Sequence, residues 1–283
     1  MLEAVDLTRT LSKTRYQRAF PPLQERLRQL QYQLLEAQIP TIIVLEGWDA
    51  AGKGSIIGRL AERLDPRAYR AHPGAPPSEL ERRYHWLWRY QIRLPEDGTI
   101  ALFDHSWYGR VLVERVERYV KKKVWRQAFE QINEFERWLT DDGQVLVKLF
   151  FHISQKEQRR RLKAIEQDTR EHWRVEKEDW RRNKRYDEWV VAIEEMLAQT
   201  DTPYAPWTVV EATDARWTRV KVFETLVRSM EEALKRRQDA PTSVSRSKMA
   251  QEATRTTREK RAAEDLEHER SVAAEAGLPI EEH

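Results

Sequence analysis

The stretch LEGWDAAGKGSII, residues 45–57, places Gly47, four further residues, Gly52 and Lys53 in the spacing of a phosphate-binding loop. Glycines in such a loop let backbone N–H groups close around phosphate oxygens, and the unpaired amides of a helix start turn the positive end of its dipole to an anion. Gly47, Ala50, Ala51, Gly52 and Gly54 supply that backbone, and Lys53 adds a point charge for a bound phosphate chain. Two features are unusual. The Ser or Thr that commonly follows the lysine is Gly54, with Ser55 displaced by one residue, and the loop contains a carboxylate, Asp49. A carboxylate among phosphate-binding amides repels the ligand unless a cation stands between them, so Asp49 is expected to replace the missing hydroxyl in holding a metal. A second acid, Asp104, ends the apolar run of ALFDHSWYGR, where a strand-end aspartate holds Mg2+ directly or through water. Asp49 and Asp104 are thus the expected metal pair.

These residues need a rigid frame, and the hydrophobic pattern supplies one. The run TIIVLE, 41–46, is continuous and β-branched, as a strand buried on both faces requires, and KGSIIGRLAERL after the loop resumes helical periodicity. Further strands are expected at 69–72, 98–106, 144–153 and 207–212. Between them, helices are expected at 21–38, opening at Pro21 and Pro22, at about 78–95 from an N-cap Ser78, and at 108–120, 124–140, 186–199 and 215–236. Strands alternating with helices imply right-handed crossovers and a parallel sheet covered on both faces.

Charged residues are 34% of the chain, above the roughly 25% of ordinary globular proteins, although the net charge is only +3. The cations are clustered: residues 156–185 hold 12 Lys/Arg against 7 Asp/Glu, and KKK stands at 121–123. Such regions suit an anionic partner. The absence of cysteine excludes disulfides, thiolate metal sites and cysteine nucleophiles. No apolar run is bilayer-sized and the first twenty residues have no apolar signal region, which leads to the expectation of a cytoplasmic protein without membrane association. Residues 238–283 lack a sustained apolar stripe and are expected to form a charged, flexible tail on a domain spanning 1–237.

Four segments, GWDAAGKGSI, YHWLWRYQIRLP, FDHSWYGRVLVERV and MLAQTDTPYAPWTVVEATD, resemble the polyphosphate kinase 2 family, particularly its AMP-phosphorylating members. The resemblance covers about residues 15–235. It implies a P-loop fold similar to thymidylate kinase, with a five-stranded parallel sheet between helices and a helical lid, here at about 154–185. It also implies Mg2+-dependent, reversible transfer of the terminal phosphoryl group of inorganic polyphosphate to AMP, or to ADP, in a homo-oligomer that needs no nucleic acid. By the same resemblance Lys53 and the loop amides bind polyphosphate, Asp49 and Asp104 organise Mg2+, and Arg89 and Arg110 are fixed cations near the transferring or acceptor phosphates. Arg59 is a further phosphate-binding candidate. The chain departs from the family pattern at His105, where DRSWY is usual, and in the lid, which reads QDTREHWRV rather than a segment like DPLKRWKL. Arg159, Arg160, Lys163, Arg170 and Arg174 are the expected lid cations, and Trp173 and Trp180 are expected to pack the lid on the body or to stack a base. Trp88 and Trp207 are expected in the core.

Two other readings share these residues. An ordinary ATP-dependent nucleotide kinase of the same fold predicts a Ser or Thr after Lys53 and leaves the basic excess without a role. A nucleotide- or nucleic-acid-binding adaptor would use the basic helices without catalysis.

Overall fold

The structure, a computed structural model, describes residues 2–239. β1 (Thr41–Gly47) is buried along its apolar run and forms the centre of a five-stranded sheet of order β2–β3–β1–β4–β5. Its neighbours are β2 (Tyr69–Pro73), β3 (Ile100–Asp104), β4 (Val145–His152) and β5 (Trp207–Glu211), and every pairing is parallel. The α-helices are α1 (Lys13–Glu36), α2 (Lys53–Ala61), α3 (Trp88–Gln91), α4 (Val113–Val116), α5 (Lys122–Asp141), α6 (Gln155–Gln167), α7 (Lys177–Lys184), α8 (Tyr186–Thr200) and α9 (Ala215–Asp239). Register puts the C-terminal ends of the central strands side by side: Leu45 pairs with Asp104 and Gly47 with Phe151. The loops after β1, β3 and β4 therefore open on one edge of the sheet, where open α/β sheets take their ligands. Residues 2–234 lie in one compact unit. The expected tail lies, from residue 240 on, outside the described residues. Among those described, no helix is long and apolar enough to cross a membrane.

Three helices differ from their expected form. The one expected at 108–120 is reduced to a 3-10 turn, Trp107–Arg110, and the four-residue α4, and Ser106 caps only the short turn. α1 starts at Lys13, not at the prolines, and Ser12 caps it by accepting from the Arg15 amide at 3.3 Å. Pro21 and Pro22 lie inside the helix, where each removes a backbone donor. Phe20 holds that turn from outside: it is buried, stacked on Tyr16 at 4.9 Å and edge-on to Phe223 at 4.8 Å. The expected helix at 78–95 is broken. Ser78 and Glu81 do exchange the bonds of a capping pair, at 2.8 and 3.2 Å, but only a 3-10 turn, Glu81–Arg83, follows before Tyr84 turns extended. The break lets Tyr84 stack on Trp88 at 4.2 Å and lets Glu81, buried, receive Arg93 at 2.7 Å. Trp88, expected in the core, is half-buried in that stack, whereas Trp207 is buried.

The interior contains a polar network centred on β4. Lys148, in the middle of β4, donates to Glu136 on α5 at 2.7 Å, to the Tyr108 hydroxyl at 3.0 Å and to the Thr200 carbonyl at 2.7 Å. The other Glu136 oxygen accepts from Trp107 Nε1 at 2.9 Å and from the Tyr108 hydroxyl at 2.6 Å. Burial raises the Glu136 pKa and lowers that of Lys148, each opposed by the other's charge. Removing one member strands the other, at a cost of about 3–5 kcal/mol for a broken buried pair, whereas a neutral pair of similar shape recovers most of it. Lys148→Met is therefore expected to lose about that much stability in urea unfolding, and Glu136→Gln combined with Lys148→Met to regain more than half, because Gln Oε1 still accepts from Trp107. Additive losses in the double variant would show that no pairing exists.

Candidate active site

Gly47 sits where a side chain has no room. A Cβ there would lie 2.7 Å from the Phe151 amide nitrogen, with the Phe151 carbonyl closer still, and its φ is +141°. Trp48 then turns back on β4, its amide donating to the Phe151 carbonyl at 3.3 Å and its indole Nε1 to His152 Nδ1 at 3.0 Å. Ala50 and Gly52 have left-handed φ values of 59° and 103°, and α2 begins at Lys53 with no side-chain cap, so its first amides are available to an anion. Lys53 is buried, and its Nζ donates to the carbonyls of Gly47 at 2.9 Å and Trp48 at 3.2 Å, closing the loop on itself. Ala51 is buried beneath the loop, while Gly54 and Ser55 are exposed.

The Asp49 carboxylate faces Arg182 of α7, 3.4 Å away, and Arg182 also lies 3.9 Å from Asp179. Burial, and next the Asp49 charge, push the Asp179 carboxyl up. At the end of β3, Asp104 Oδ1 is buried and has no hydrogen-bond partner among the described residues. Glu46, one residue before the loop, accepts from the Ser106 amide at 2.8 Å and hydroxyl at 2.9 Å, and His105 Nδ1 lies 3.4 Å from its other oxygen. Burial alone would raise the Glu46 pKa, but the bonds from His105 and Ser106 outweigh it and hold the carboxyl below its ordinary value. A cavity of about 40 Å3 joins the two sides, lined by Glu46, Asp49, His105, Arg182 and Trp189 among others.

The expected cations are distributed unevenly. Arg110 pairs with Glu114 at 2.6 Å and lies over the Trp86 ring at 4.9 Å; Arg89 donates to the Ala75 carbonyl at 2.8 Å. Each keeps a buried Nε without a partner among the described residues. Arg59 pairs with Glu62 on the surface of α2 at 2.8 Å. Arg159 and Lys163 are exposed, Arg160 pairs with Glu157 at 2.7 Å, and Arg170 with Asp168 at 3.1 Å. Of the five lid cations only Arg174 is seen against the loop, its Nη2 3.7 Å from where a Cβ on Gly54 would stand. Trp173 is 72% exposed, so of its two expected roles it does not pack on the body, and Trp180 is half-buried.

Three arginines that sequence reasoning missed do reach the loop. Arg161 donates to the Ala50 carbonyl at 3.0 Å and to those of Ala212 and Thr213 at 2.7 and 2.9 Å. Arg182 reaches Asp49, and Arg219 of α9 donates to Ser55 Oγ at 3.3 Å. The signal for Arg161 was the helical phase of α6: Gln158 and Leu162 form its buried face, and Arg161 lies three residues from one and beside the other.

A glycine-rich loop between a buried parallel strand and a helix, with a strand-end acid beside it, defines a P-loop α/β protein. The profile of the polyphosphate kinase 2 family matches residues 10–238, and the chain belongs to that family. It is similar to a polyphosphate:AMP phosphotransferase of Pseudomonas syringae pv. tomato, 40% identical over 237 residues, which are 83% of this chain and 47% of that protein. It is also similar to an ADP-polyphosphate phosphotransferase of Pseudomonas aeruginosa, 36% identical over 81% of this chain and 75% of the other. The chain thus spans about half the length of the first relative. The crystal structure of polyphosphate kinase 2 from Arthrobacter aurescens superposes with a TM-score of 0.79 at 28% identity, covering 82% of this chain and 85% of that one. The parallel fold and the family expected from the sequence are both what these comparisons show.

His152 gives the site a measurable acid sensitivity. It is buried beside the loop and accepts from Trp48, and burial lowers its pKa to about 4, against the weaker upward pull of Glu194. Its unfolded pKa is the higher one, so between about 6.5 and 4 the unfolded chain binds the extra proton and stability falls as pH falls; above about 6.5 the group contributes no slope. His152→Asn keeps a neutral acceptor for Trp48 and is expected to flatten the decline in Tm between pH 7 and pH 5. An unchanged decline would show that His152 is not the group responsible.

Proposed function

We propose that this chain transfers the terminal phosphoryl group of inorganic polyphosphate to a nucleotide, AMP before ADP, in a Mg2+-dependent and reversible reaction. The observation that carries the reading is the ring of arginines at one phosphate loop. Arg161, Arg174, Arg182 and Arg219 come from four separate elements and meet Ala50, Gly54, Asp49 and Ser55. A polyanion longer than a triphosphate engages such a ring in full, and arginine suits it because its planar fork makes two bonds to a phosphate.

The residues fit Mg2+. It takes one or two carboxylates and leaves its other positions to water and phosphate, and among the described residues Asp104 offers a buried oxygen without a hydrogen-bond partner while Asp49 offers a carboxylate that Arg182 meets at 3.4 Å. No cluster of three His, Asp or Glu stands ready for a metal among the described residues, which suits an ion that arrives with its phosphates. Asp49 and Asp104 would hold Mg2+, which would supply positive charge where the transferring oxygens gain negative charge. The chain's own part is alignment: the loop amides and Lys53 bind the donor phosphates, and Arg89 and Arg110 steady the acceptor phosphate. No nucleophilic side chain is required.

Replacing Asp49 by Asn keeps its size and removes its charge. Asp49→Asn is expected to lower polyphosphate-driven ADP formation by about 100-fold or more, with the unfolding midpoint nearly unchanged. A variant of near-normal rate would make Asp49 structural. Faster phosphorylation of AMP by ATP than by polyphosphate in the unaltered protein would favour the ordinary nucleotide-kinase reading.

A further inference from the structure

Residues 151–153, at and just past the end of β4, hold Trp48 of the phosphate loop and the ring stacked on it. The Phe151 carbonyl accepts from the Trp48 amide at 3.3 Å, His152 Nδ1 accepts from the Trp48 indole at 3.0 Å, and the Ile153 carbonyl accepts from the Tyr186 hydroxyl at 2.8 Å. The Tyr186 ring in turn lies flat on the Trp48 ring, with centroids 3.9 Å apart and planes 11° from parallel. Tyr186 is the first residue of α8, and the helix axis is interrupted just before it at Arg185, whose φ and ψ of −100° and 24° separate α8 from α7. Arg182, on the α7 side of that break, reaches Asp49. Neighbouring loop residues, 48 and 49, are therefore gripped by residues 186 and 182 on opposite sides of one helix junction.

The two grips differ in strength. The inner one is aromatic, largely buried and backed by two hydrogen bonds, and its acceptor imidazole stays neutral near pH 7 because burial lowers the His152 pKa to about 4. The outer one is a single 3.4 Å contact between side chains that are 28% and 22% exposed, a pair that solvent and a competing phosphate weaken. A rigid contact at residue 48 next to a loose one at residue 49 fixes where the Asp49 carboxylate starts and leaves it free to exchange its partner.

We propose that Trp48, His152 and Tyr186 are positioning residues that act through Asp49: their stack fixes the loop so that the carboxylate exchanges Arg182 for a phosphate-bound cation. The inference rests on the function proposed above for the cation and the phosphate, and on the geometry alone for the stack. Simple core packing accounts for the burial of Trp48. It does not require the ring of Tyr186 to matter for a metal-dependent step.

Calorimetric titration with inorganic tripolyphosphate, with and without Mg2+, reads the step without turnover. Metal-free tripolyphosphate reports Lys53 and the loop amides, and the gain in affinity on adding Mg2+ reports the acids that hold it, of which Asp49 alone adjoins the stack. Tyr186→Phe keeps the flat ring and is expected to keep that gain within about twofold, whereas Tyr186→Leu loses it by about fivefold or more at unchanged metal-free affinity. Should Tyr186→Leu fail to fold, His152→Leu, which strands the indole N–H, and His152→Asn, which does not, make the same comparison. A folded Tyr186→Leu or His152→Leu with the full Mg2+ gain, or equal losses in the conservative and disruptive variants, would overturn the proposal. Mg2+-dependent tripolyphosphate binding by an unaltered protein that makes no ADP would count against the proposed function, and the variant comparison would still decide this inference.

Discussion

Lys148 and Glu136 lie 2.7 Å apart with no exposed side-chain surface, and the functional edge of the sheet depends on that contact. A buried ion pair is a poor source of net stability, because desolvation consumes most of the attraction. What it fixes here is position. Glu136 accepts from both Trp107 and Tyr108, which immediately follow Asp104, His105 and Ser106 and precede Arg110. Ser106, held from that side, completes the ionised Glu46 at the end of β1. Through these bonds and the short segment of chain between them, the pair in the core is linked to Glu46, the acid just ahead of the phosphate loop.

The loop itself is set from the other side, by β4. Gly47 is required because β4 approaches too closely for any side chain, and that approach brings the Phe151 carbonyl and His152 within reach of Trp48. A preorganised anion site needs such constraint, since amides and cations fixed beforehand spend no free energy on reorganising when charge develops. The arginines are held more loosely. Arg161 is locked by three carbonyls, while Arg174 and Arg182 have exposed or long contacts that a phosphate chain can replace.

Sequence pattern revealed the sheet well, because strands buried on both faces of a parallel sheet read as unbroken apolar runs, TIIVLE above all. The phosphate loop was legible for a related reason: strand, glycines and helix follow one another directly. Misreadings arose where tertiary contacts outweigh local preference. Pro21 and Pro22 signal a helix start in any local reading, yet Phe20 packs so well that the helix passes through them. The capping pair at Ser78 and Glu81 was a true local signal, but aromatic stacking breaks the helix one turn later. The strand holding Lys148 was legible, but its buried partner was not, because Glu136 belongs to a different element. Which arginines face the loop depends on helix phase and on α9, distant in sequence, so Arg161 and Arg219 were not visible beside the more conspicuous Arg159 and Arg160.

In the proposed function the loop, its flanking acids and its arginines move a phosphoryl group from an inorganic chain to a nucleotide. Phosphorus NMR of the purified protein with polyphosphate, AMP and Mg2+, and no ATP, observes donor and acceptor together. The ADP β-phosphorus signal is expected to grow in step with shortening of the polyphosphate chain, with little orthophosphate released. Growth of orthophosphate in place of ADP, or unchanged spectra until ATP is added, would contradict it.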